Sequence, residues 1–477
     1  QENNNNNNPS CLPSLTLDDV SMDIEPTLLF SLENPSLPGS RPVQWCPQPT
    51  NGVSFIRTLA DVHSLPAHLH SFLPLYCLAL SKGGAGDRDH LQVAQYLESY
   101  TGGVSATTFL AKHPVENDQY RVGVYVGGSA LERNTEKLTE IMGDILTKPN
   151  FSNTDHTNSL ILQKYSDMEE NLVNSGHSFA LLRAGANLEP IKHLEEQWSG
   201  LPHFNLLAKL VKGDIAPEEL KEKFDEITHH LLSNSSSEWA VNAESSHFPT
   251  LSSSLSSLFA TLPPHQPSSP YHTTPQNNLS DHPLIHPPTF IPIPSSVFFG
   301  CLAVPSVNFD HPDHVALQLL GKICSSTYLH QQVREKGGAY GAGLTVSPSC
   351  LAFYSYRDPH NEKTLDIFYN CGKWVRGGGE GEVTPRVLSE AKLSLFSDLD
   401  QPVSPGRKGL GWFEHRVGHE MRMKKRQRVM AVTMDDIMRV AEKYLINAPK
   451  SSVVVLGPEG GEGGKDWNIQ PVFSEQQ

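Results

Sequence analysis

Arg334 and Tyr340 lie on either side of two consecutive glycines in the stretch REKGGAYG. A guanidinium carries a planar set of donors that can hold a peptide carbonyl or a carboxylate in two places. A phenol can donate a hydrogen bond to an oxyanion, which forms on the carbonyl oxygen during peptide-bond hydrolysis. Neither group activates a nucleophile, so the pair is interpreted as a means of holding a peptide. The alternative is an ordinary helix stop flanked by surface side chains.

The elements around this stretch predict how the two side chains are presented. After Asp310, apolar residues recur with a helical period at Val315, Leu319, Leu320 and Ile323. This pattern predicts a helix that ends near Arg334. Gly337 and Gly338 are expected to end this helix, because glycine adopts positive φ without a Cβ clash. Two short β-like segments, AGLTVS and LAFYSY, follow. Tyr340 is therefore predicted on a turn from helix to strand.

Three blocks in the same order carry a resemblance to a known family. They are REKGGAYGAG, then YSYRDP, then SEAKLSLFSDLDQPVSP. Together they resemble the C-terminal half of the presequence protease family, a pitrilysin-type group of mitochondrial metallopeptidases (peptidase family M16, subfamily C). Upstream, DIEPT, VQWCPQPTNGVSF, YTGGVSA and SGHSFALLRAGANLEP resemble the third domain of that family, so the resemblance covers nearly the whole chain.

The resemblance implies a fold, a function and a set of site residues. The implied fold is α+β, with two homologous pitrilysin-like sandwich domains whose helices pack on mostly antiparallel sheets. Arg334 and Tyr340 match residues that reach the zinc site of the N-terminal half, bind the substrate backbone and assist the transition state. Gly337 and Gly338 are included in the substrate-binding set. The implied substrates are short unstructured peptides such as presequences, and the implied location is the mitochondrial matrix.

The zinc motif of the family, HxxEH, does not occur among the histidines of this chain. His415 and His419 have the required spacing, but Gly418 stands where the glutamate base should be, so a surface helix with two solvated histidines is predicted. His311 and His314 are expected to have a capping and solvent-facing role. Zinc is therefore expected only in an N-terminal half that this chain lacks, and no metal is assigned to the chain itself.

Ser175 and His177 lie close together in the sequence, and such a pair could indicate a hydrolase. Two residues apart on a helix, they cannot form a nucleophile–base contact, and no acidic residue is positioned to orient the histidine. A packing or capping role at the break between two helices is predicted instead.

Composition limits the remaining function classes. The 477 residues carry 37 basic and 52 acidic side chains, for a formal charge of −15, which argues against a nucleic-acid partner and suits a basic peptide. No apolar run is long enough to span a bilayer. Seven cysteines without a CxxC pair predict reduced thiols. The polar start QENNNNNNPS lacks an initiator methionine and a targeting segment, so a fragment or internal start is expected.

Five segments are predicted along the chain. They are a disordered start (1–22), the third peptidasome domain (23–262), a Ser/Pro/His-rich linker (263–288), the fourth peptidasome domain with the Arg/Tyr motif (289–462) and a tail (463–477). The linker is predicted to be disordered because proline, serine and histidine bury little apolar surface; the alternative is a long ordered surface loop. Among the helices predicted from the sequence are those over residues 135–147, 362–375 and 416–429, and no helix bounds are assigned over residues 176–212.

Three functional hypotheses follow. The chain is the substrate-binding half of a zinc metalloendopeptidase, inactive alone and completed by the missing catalytic half. Alternatively, it is a non-catalytic peptide-binding or regulatory relative that lacks the zinc half. The third hypothesis is a purely structural half-shell.

Overall fold

The structure is a computed structural model, which describes residues 15–32, 41–234, 236–273, 287–348, 350–377, 383–461 and 466–472. Two sheets, each covered by helices, account for most of these residues. The predicted α+β class with mostly antiparallel sheets is confirmed. Residues 1–14 of the predicted disordered start, residues 274–286 of the predicted linker and most of the predicted tail lie outside the described residues.

The first unit contains nine strands and nine α-helices among its described residues. Its strands are β1 (Phe30–Leu32), β2 (Val43–Pro47), β3 (Val53–Asp61), β4 (Gly84–Ala85), β5 (Val104–Lys112), β6 (Gln119–Leu131), β7 (Pro149–Asn150), β8 (Ser237–Ala243) and β9 (His272–Thr273). Its helices are α1 (Leu73–Lys82), α2 (His90–Tyr100), α3 (Thr135–Thr147), α4 (Thr154–Asn174), α5 (Gly176–Ala186), α6 (Pro190–Ser199), α7 (Leu201–Lys212), α8 (Pro217–Ser233) and α9 (Phe248–Thr261).

The second unit contains six strands and six α-helices in the described part of the chain. Its strands are β10 (Thr289–Pro292), β11 (Phe299–Pro305), β12 (Gly341–Val346), β13 (Cys350–Tyr356), β14 (Ser452–Gly457) and β15 (Asn468–Ile469). Its helices are α10 (Asp313–Cys324), α11 (Glu362–Val375), α12 (Pro385–Leu399), α13 (Leu410–His415), α14 (His419–Ala431) and α15 (Met434–Ala441).

Both sheets combine antiparallel neighbours with one or two parallel contacts. The first sheet has the order β1-β2-β8-β3-β6-β5, with β9 paired to β6, and among its described strands only β2 and β8 run parallel. The second sheet has the order β12-β13-β11-β14-β10-β15, with β10 parallel to β14 and β15. The short strands β4 and β7 form a separate pair.

Periodic apolar residues explain why the long helices form where they do. Helix α3 buries one stripe at Leu138, Ile141, Met142 and Ile145, and its bounds agree with the sequence-predicted helix. Helix α11 also agrees with its prediction, and Leu365, Phe368 and Cys371 lie on its buried face. Strong amphipathic spacing therefore located these elements from sequence alone.

Each sheet has one face that is covered by a segment of the other unit. Helix α5 of the first unit packs on β11, β13 and β14 of the second sheet. Phe299, Cys301 and Ala303, on that face of β11, belong to the same buried cluster as the core of the first unit. The alternate residues Leu302 and Val304 face the core under the second unit's own helices. The core of the first unit thus continues onto one face of the second sheet, whereas the other face of that sheet belongs to a separate core.

The return contact is made by residues 405–416 of the second unit, here called the strap, which lies across the first sheet. Leu410 and Phe413 of the strap pack on Leu59 and Ala240. Asn242 on β8 donates to the carbonyl oxygens of Pro405 (3.1 Å) and Lys408 (2.9 Å). These bonds satisfy a fully buried amide, which would otherwise be costly to bury.

Charged groups fix the far end of the strap. Arg121, only 3% exposed, donates to the carbonyl oxygens of Phe413 and Glu414 and to a carboxylate oxygen of Glu238. Arg416 reaches the same carboxylate with both contacts at 2.6 Å. One glutamate therefore pairs with an arginine from each unit.

Several sequence predictions need correction. No helix bounds were predicted over residues 176–212, where α5, α6 and α7 lie. The helix predicted over 416–429 begins instead at His419, because Arg416 has a φ of 55° and ends α13 in the left-handed region. His415 and His419 therefore lie on different helices and not on one surface helix.

The first part of the linker, residues 263–273, is ordered in the structure, in contrast to the predicted disorder. Residues 263–273 contact the first sheet: Ser268 bonds Ser236 at 2.6 Å, and His272 lies on β9, 3.1 Å from Asp61. The His272 and His63 rings stack at 3.8 Å. This segment gains order by pairing with β6 of the first sheet, a long-range contact that composition does not reveal.

We expect Gly176→Ala to destabilise the protein by about 1–3 kcal/mol, because a Cβ there would lie 2.5 Å from the Phe299 ring. Gly185→Ala, on the same helix, is the matched control. Its Cβ would meet only the flexible Lys192 side chain at 3.5 Å, so it should be neutral or stabilising by up to about 1 kcal/mol. Urea unfolding measures both variants, and equal effects would contradict the close packing of α5.

Candidate functional site

A single long helical segment carries Arg334 to the surface. Helix α10 continues without interruption into wider π-helical turns over Ser325–Glu335. Leu329 and Val333 are fully buried on one side of these turns, whereas Arg334 is exposed on the other. π-helical turns are rare in proteins and frequent at functional sites.

The two glycines end this segment for different physical reasons. Gly338 has a φ of 83°, and its N–H donates to the Arg334 carbonyl at 2.9 Å. Gly337 is needed for close approach, because a Cβ there would lie 2.4 Å from the Val333 carbonyl oxygen. The predicted glycine break is confirmed. A role of these glycines in substrate binding stays a prediction.

Tyr340 projects into solvent from a fixed backbone. Its N–H donates to the carbonyl oxygens of Tyr356 (3.1 Å) and Arg357 (3.3 Å), and β12 begins at the next residue. The side chain is 70% exposed and meets the Tyr356 ring edge to face, with centroids 5.6 Å apart. The predicted position on a helix-to-strand turn is confirmed.

Tyr340 packs on Tyr356, which in turn packs on an aromatic ring from the first unit. His177, from the start of α5, meets the Tyr356 ring at 4.8 Å, and Tyr340 meets the same ring; these three residues are here called the aromatic patch. Burial lowers the pKa of His177. Such packing fixes the Tyr356 ring and so limits where the Tyr340 phenol can lie.

Two polar residues at this patch were missed by sequence reasoning. Arg357 has a φ of 49°, places its guanidinium 5.7 Å from the Tyr356 ring centre and donates to the Asn174 side-chain oxygen at 3.0 Å. Arg357 lies in the block YSYRDP, but nothing in that block shows its partner in α4. The break between α4 and α5 at Ser175 agrees with the prediction for this segment.

Arg334 has little to hold it in place. Its guanidinium lies 3.5 Å from His330 Nε2, and the other ring nitrogen of His330 lies 3.4 Å from Glu335. Within the part of the chain that the structure describes, no carboxylate forms an ion pair with Arg334. The guanidinium is thus free to bind a carbonyl or a carboxylate of another molecule.

The described residues do not fit a zinc ion. They contain no group of three or more histidine, cysteine, aspartate or glutamate side chains that could hold a metal. His311 accepts from the Asp313 N–H at 3.0 Å, in agreement with its predicted capping role. His314 is only 1% exposed, so the prediction that it faces solvent is wrong, and burial lowers its pKa to about 4. No described helix is long and apolar enough to cross a membrane.

Two family models match the chain. Residues 1–210 match the model for the region associated with peptidase family M16, subfamily C, and residues 308–457 match the model for the "PreP C-terminal domain". The chain belongs to the presequence protease family. It corresponds to the C-terminal half of that family, and the resemblance inferred from the sequence blocks is confirmed.

Individual relatives agree with the family models. The mitochondrial presequence protease of Danio rerio is 32% identical over 97% of this chain and 46% of its own length. The protein of that name from Mus musculus is 31% identical over 97% of this chain and 46% of its own length. The one from Schizosaccharomyces pombe is 30% identical over 96% of this chain and 45% of its own length. The chain therefore spans about half the length of these relatives.

Solved structures support the fold. A protease from Helicobacter pylori has a TM-score of 0.66 at 15% identity, over 91% of this chain and 100% of that chain. The peptidase M16 inactive domain from Pseudomonas fluorescens has a TM-score of 0.63 at 15% identity with the same coverage. At this identity the likeness concerns the two-unit fold alone.

Asp313 lies at the start of the helical segment that carries Arg334. Burial alone would raise its pKa, but hydrogen bonds from Arg439 (2.7 Å), Tyr444 (2.8 Å) and Lys443 (3.0 Å) outweigh burial and lower the pKa to about 2. Because the folded pKa is lowered, the ionised carboxylate stabilises the fold above about pH 4. That stabilisation is lost as the pH falls from about 4 towards 2.

We expect Asp313→Asn to lower the free energy of unfolding by about 1–2 kcal/mol at pH 7, allowing for the half-exposed Arg439 and Lys443 partners. The difference from wild type should shrink as the pH falls from about 4 to 2. Asp398→Asn is the control, because Asp398 pairs with Lys322 while 55% exposed, and should change little. Urea unfolding across pH measures this, and a pH-independent difference would contradict it.

Proposed function

We propose that this chain is the substrate-binding half of a presequence-protease-like zinc metalloendopeptidase that degrades short unstructured peptides. The observation that carries the proposal is the paired exposure of Arg334 and Tyr340 on a rigid turn, in a chain of this family. The zinc and the general base belong to a catalytic half outside these residues. The names of its relatives support action of the complete protein in mitochondria, and the matrix is the compartment we propose.

Arg334 supplies the grip on the peptide backbone. Its guanidinium is exposed and without a carboxylate partner among the described residues, so little must be broken before it binds a peptide carbonyl or the C-terminal carboxylate. A charge-assisted hydrogen bond of this kind contributes more than a neutral one. Gly337 and Gly338 allow the chain to turn beside the peptide without side-chain interference.

Tyr340 supplies a hydrogen-bond donor for the transition state. Its backbone is held by two hydrogen bonds and its ring is braced by Tyr356, so the hydroxyl is pre-positioned while remaining exposed. A fixed donor aimed at an oxygen that gains charge accelerates the reaction more than it tightens ground-state binding. The formal charge of −15 favours approach of basic peptides.

The non-catalytic alternative shares the grip but lacks the chemistry. In that case the chain captures peptides or regulates a partner, and Tyr340 has no transition state to stabilise. The two hypotheses differ in whether a zinc half completes the site, which a reconstitution experiment decides.

We expect Arg334→Ala to weaken binding of a basic, unstructured peptide of about 20 residues by roughly 10- to 100-fold, as the loss of one charge-assisted bond implies. Arg334→Lys should be intermediate, because an ammonium keeps the charge but loses the planar fork. Fluorescence anisotropy with labelled peptide measures the affinity.

Lys336→Ala is the matched control, because Lys336 is another exposed cation on the same segment. It should change the affinity by less than about threefold, the size of a screened surface interaction. No binding by the wild-type chain, or equal losses in the Arg334 and Lys336 variants, would leave the structural half-shell as the better hypothesis.

We expect that mixing the chain with a separately expressed zinc half of a presequence protease restores peptide cleavage. The chain alone should have no chelator-sensitive peptidase activity. Tyr340→Phe should then reduce kcat on the order of 10²- to 10³-fold with little change in peptide affinity. Tyr369→Phe is the control, because Tyr369 is similarly exposed (53%) on α11. Equal losses in rate and affinity, or normal turnover by Tyr340→Phe, would contradict the role given to the phenol. Failure of the wild-type mixture to cleave peptide would favour the non-catalytic alternative.

A further inference from the structure

A cavity of about 690 Å³ lies where the two units meet, away from Arg334 and Tyr340. Its walls come from the end of β5, from α6, from the turn between β12 and β13, and from α13 and α14. The β12–β13 turn at Ser347 is the opposite end of the hairpin from Tyr340, about 20 Å away for a six-residue strand. The cavity is therefore separate from the proposed peptide site.

The charge of the cavity wall is opposite to that of the whole chain. Five basic residues line it, Lys112, Lys192, Arg422, Lys425 and Arg426, against one acidic residue, Glu195. Three of the five have carboxylate partners: Lys112 with Glu189, Lys192 with Glu195, and Arg426 with Asp400. In a chain with a formal charge of −15, two further cations remain at this wall without such partners among the described residues.

Lys425 is the unusual member of this set. It is only 9% exposed, and its ammonium lies 4.7 Å from the centre of the Phe309 ring. Among the residues that the structure describes, no carboxylate lies within ion-pair distance of it. Burial lowers its pKa to about 8. A buried lysine without a counter-charge destabilises a fold, and an anion bound beside it would remove that penalty.

Apolar side chains form much of the rest of the wall, beside the polar residues Thr108, His113, Ser199, Ser347 and His415. Trp198 and Ile191 on α6, Phe309, and Leu399 at the end of α12 line the same space. Ligand cavities of roughly 300–1,000 Å³ with apolar walls and a few polar groups are typical of small-molecule sites. Arg422, on the exposed side of α14 and one turn before Lys425, places a second cation at this wall.

We propose that this cavity binds a small organic anion with an apolar body, of the carboxylate class, with Lys425 as its counter-charge and Arg422 as a second contact. The apolar part of the ligand lies against Trp198 and Phe309. Binding at this position joins the two units, because β5 and α6 belong to the first and α14 to the second. The inference does not depend on the role given to Arg334 and Tyr340.

The test uses the 477-residue chain and decanoate as the probe. Isothermal titration should show saturable binding of decanoate, with at least 10-fold weaker binding of decanol, which lacks the charge, and of acetate, which lacks the apolar body. Lys425→Met should weaken decanoate binding at least 10-fold, and Arg422→Gln about threefold. Lys424→Met is the matched control, because Lys424 is exposed and pairs with Asp310 at 2.8 Å. The affinity of this variant for decanoate should stay within about twofold of wild type.

A second measurement separates loss of the ligand contact from loss of the fold. Without ligand, Lys425→Met should have a higher Tm than wild type, because an unpaired buried charge is replaced by an apolar chain of similar length. Absence of saturable decanoate binding, equal affinity for acetate, unchanged affinity in Lys425→Met, or a lowered Tm of that variant would each overturn the proposal. None of these outcomes bears on peptide binding by Arg334.

Discussion

The two units hold together because each sheet is covered on one face by a segment of the other unit's chain. Helix α5 lies on the second sheet, where Gly176 permits contact with Phe299, and the strap lies on the first sheet, where Asn242 and Arg121 satisfy its carbonyl groups. Neither unit can bury both faces of its sheet alone. The position of the candidate site follows from this exchange, because its aromatic patch contains His177 from one unit and Tyr340 from the other.

The candidate site is rigid at its base and open at its tip. Buried Val333, the close approach at Gly337 and the positive φ of Gly338 fix the path of the backbone. The Arg334 and Tyr340 side chains then project into solvent, where the ring of His330 lies beside Arg334 and the ring of Tyr356 beside Tyr340. This combination suits recognition of an extended chain, since backbone order is in place before the ligand arrives.

Sequence reasoning succeeded where the signal is local. The periodicity of α3 and α11 located both helices, and the glycine pair located the turn that carries Tyr340. Sequence reasoning did not give the bounds of α5, α6 and α7, which are short helices that follow one another closely. The apolar face of α5 packs on a sheet whose strands are far away in the sequence. Arg357 and Asn174 were missed for the same reason, because their hydrogen bond joins residues in different units and has no local pattern.

The placement of α5 also has a consequence for synthesis on the ribosome. Helix α5 ends at Ala186, whereas β14, one of the strands it covers, begins at Ser452. At common rates of synthesis, roughly 10 to 50 s pass between the emergence of the two. Until β14 joins β11 and β13, the sheet that α5 covers is incomplete, so part of the apolar face of α5 stays exposed in the nascent chain. The same exchange that joins the finished units therefore delays completion of the first one.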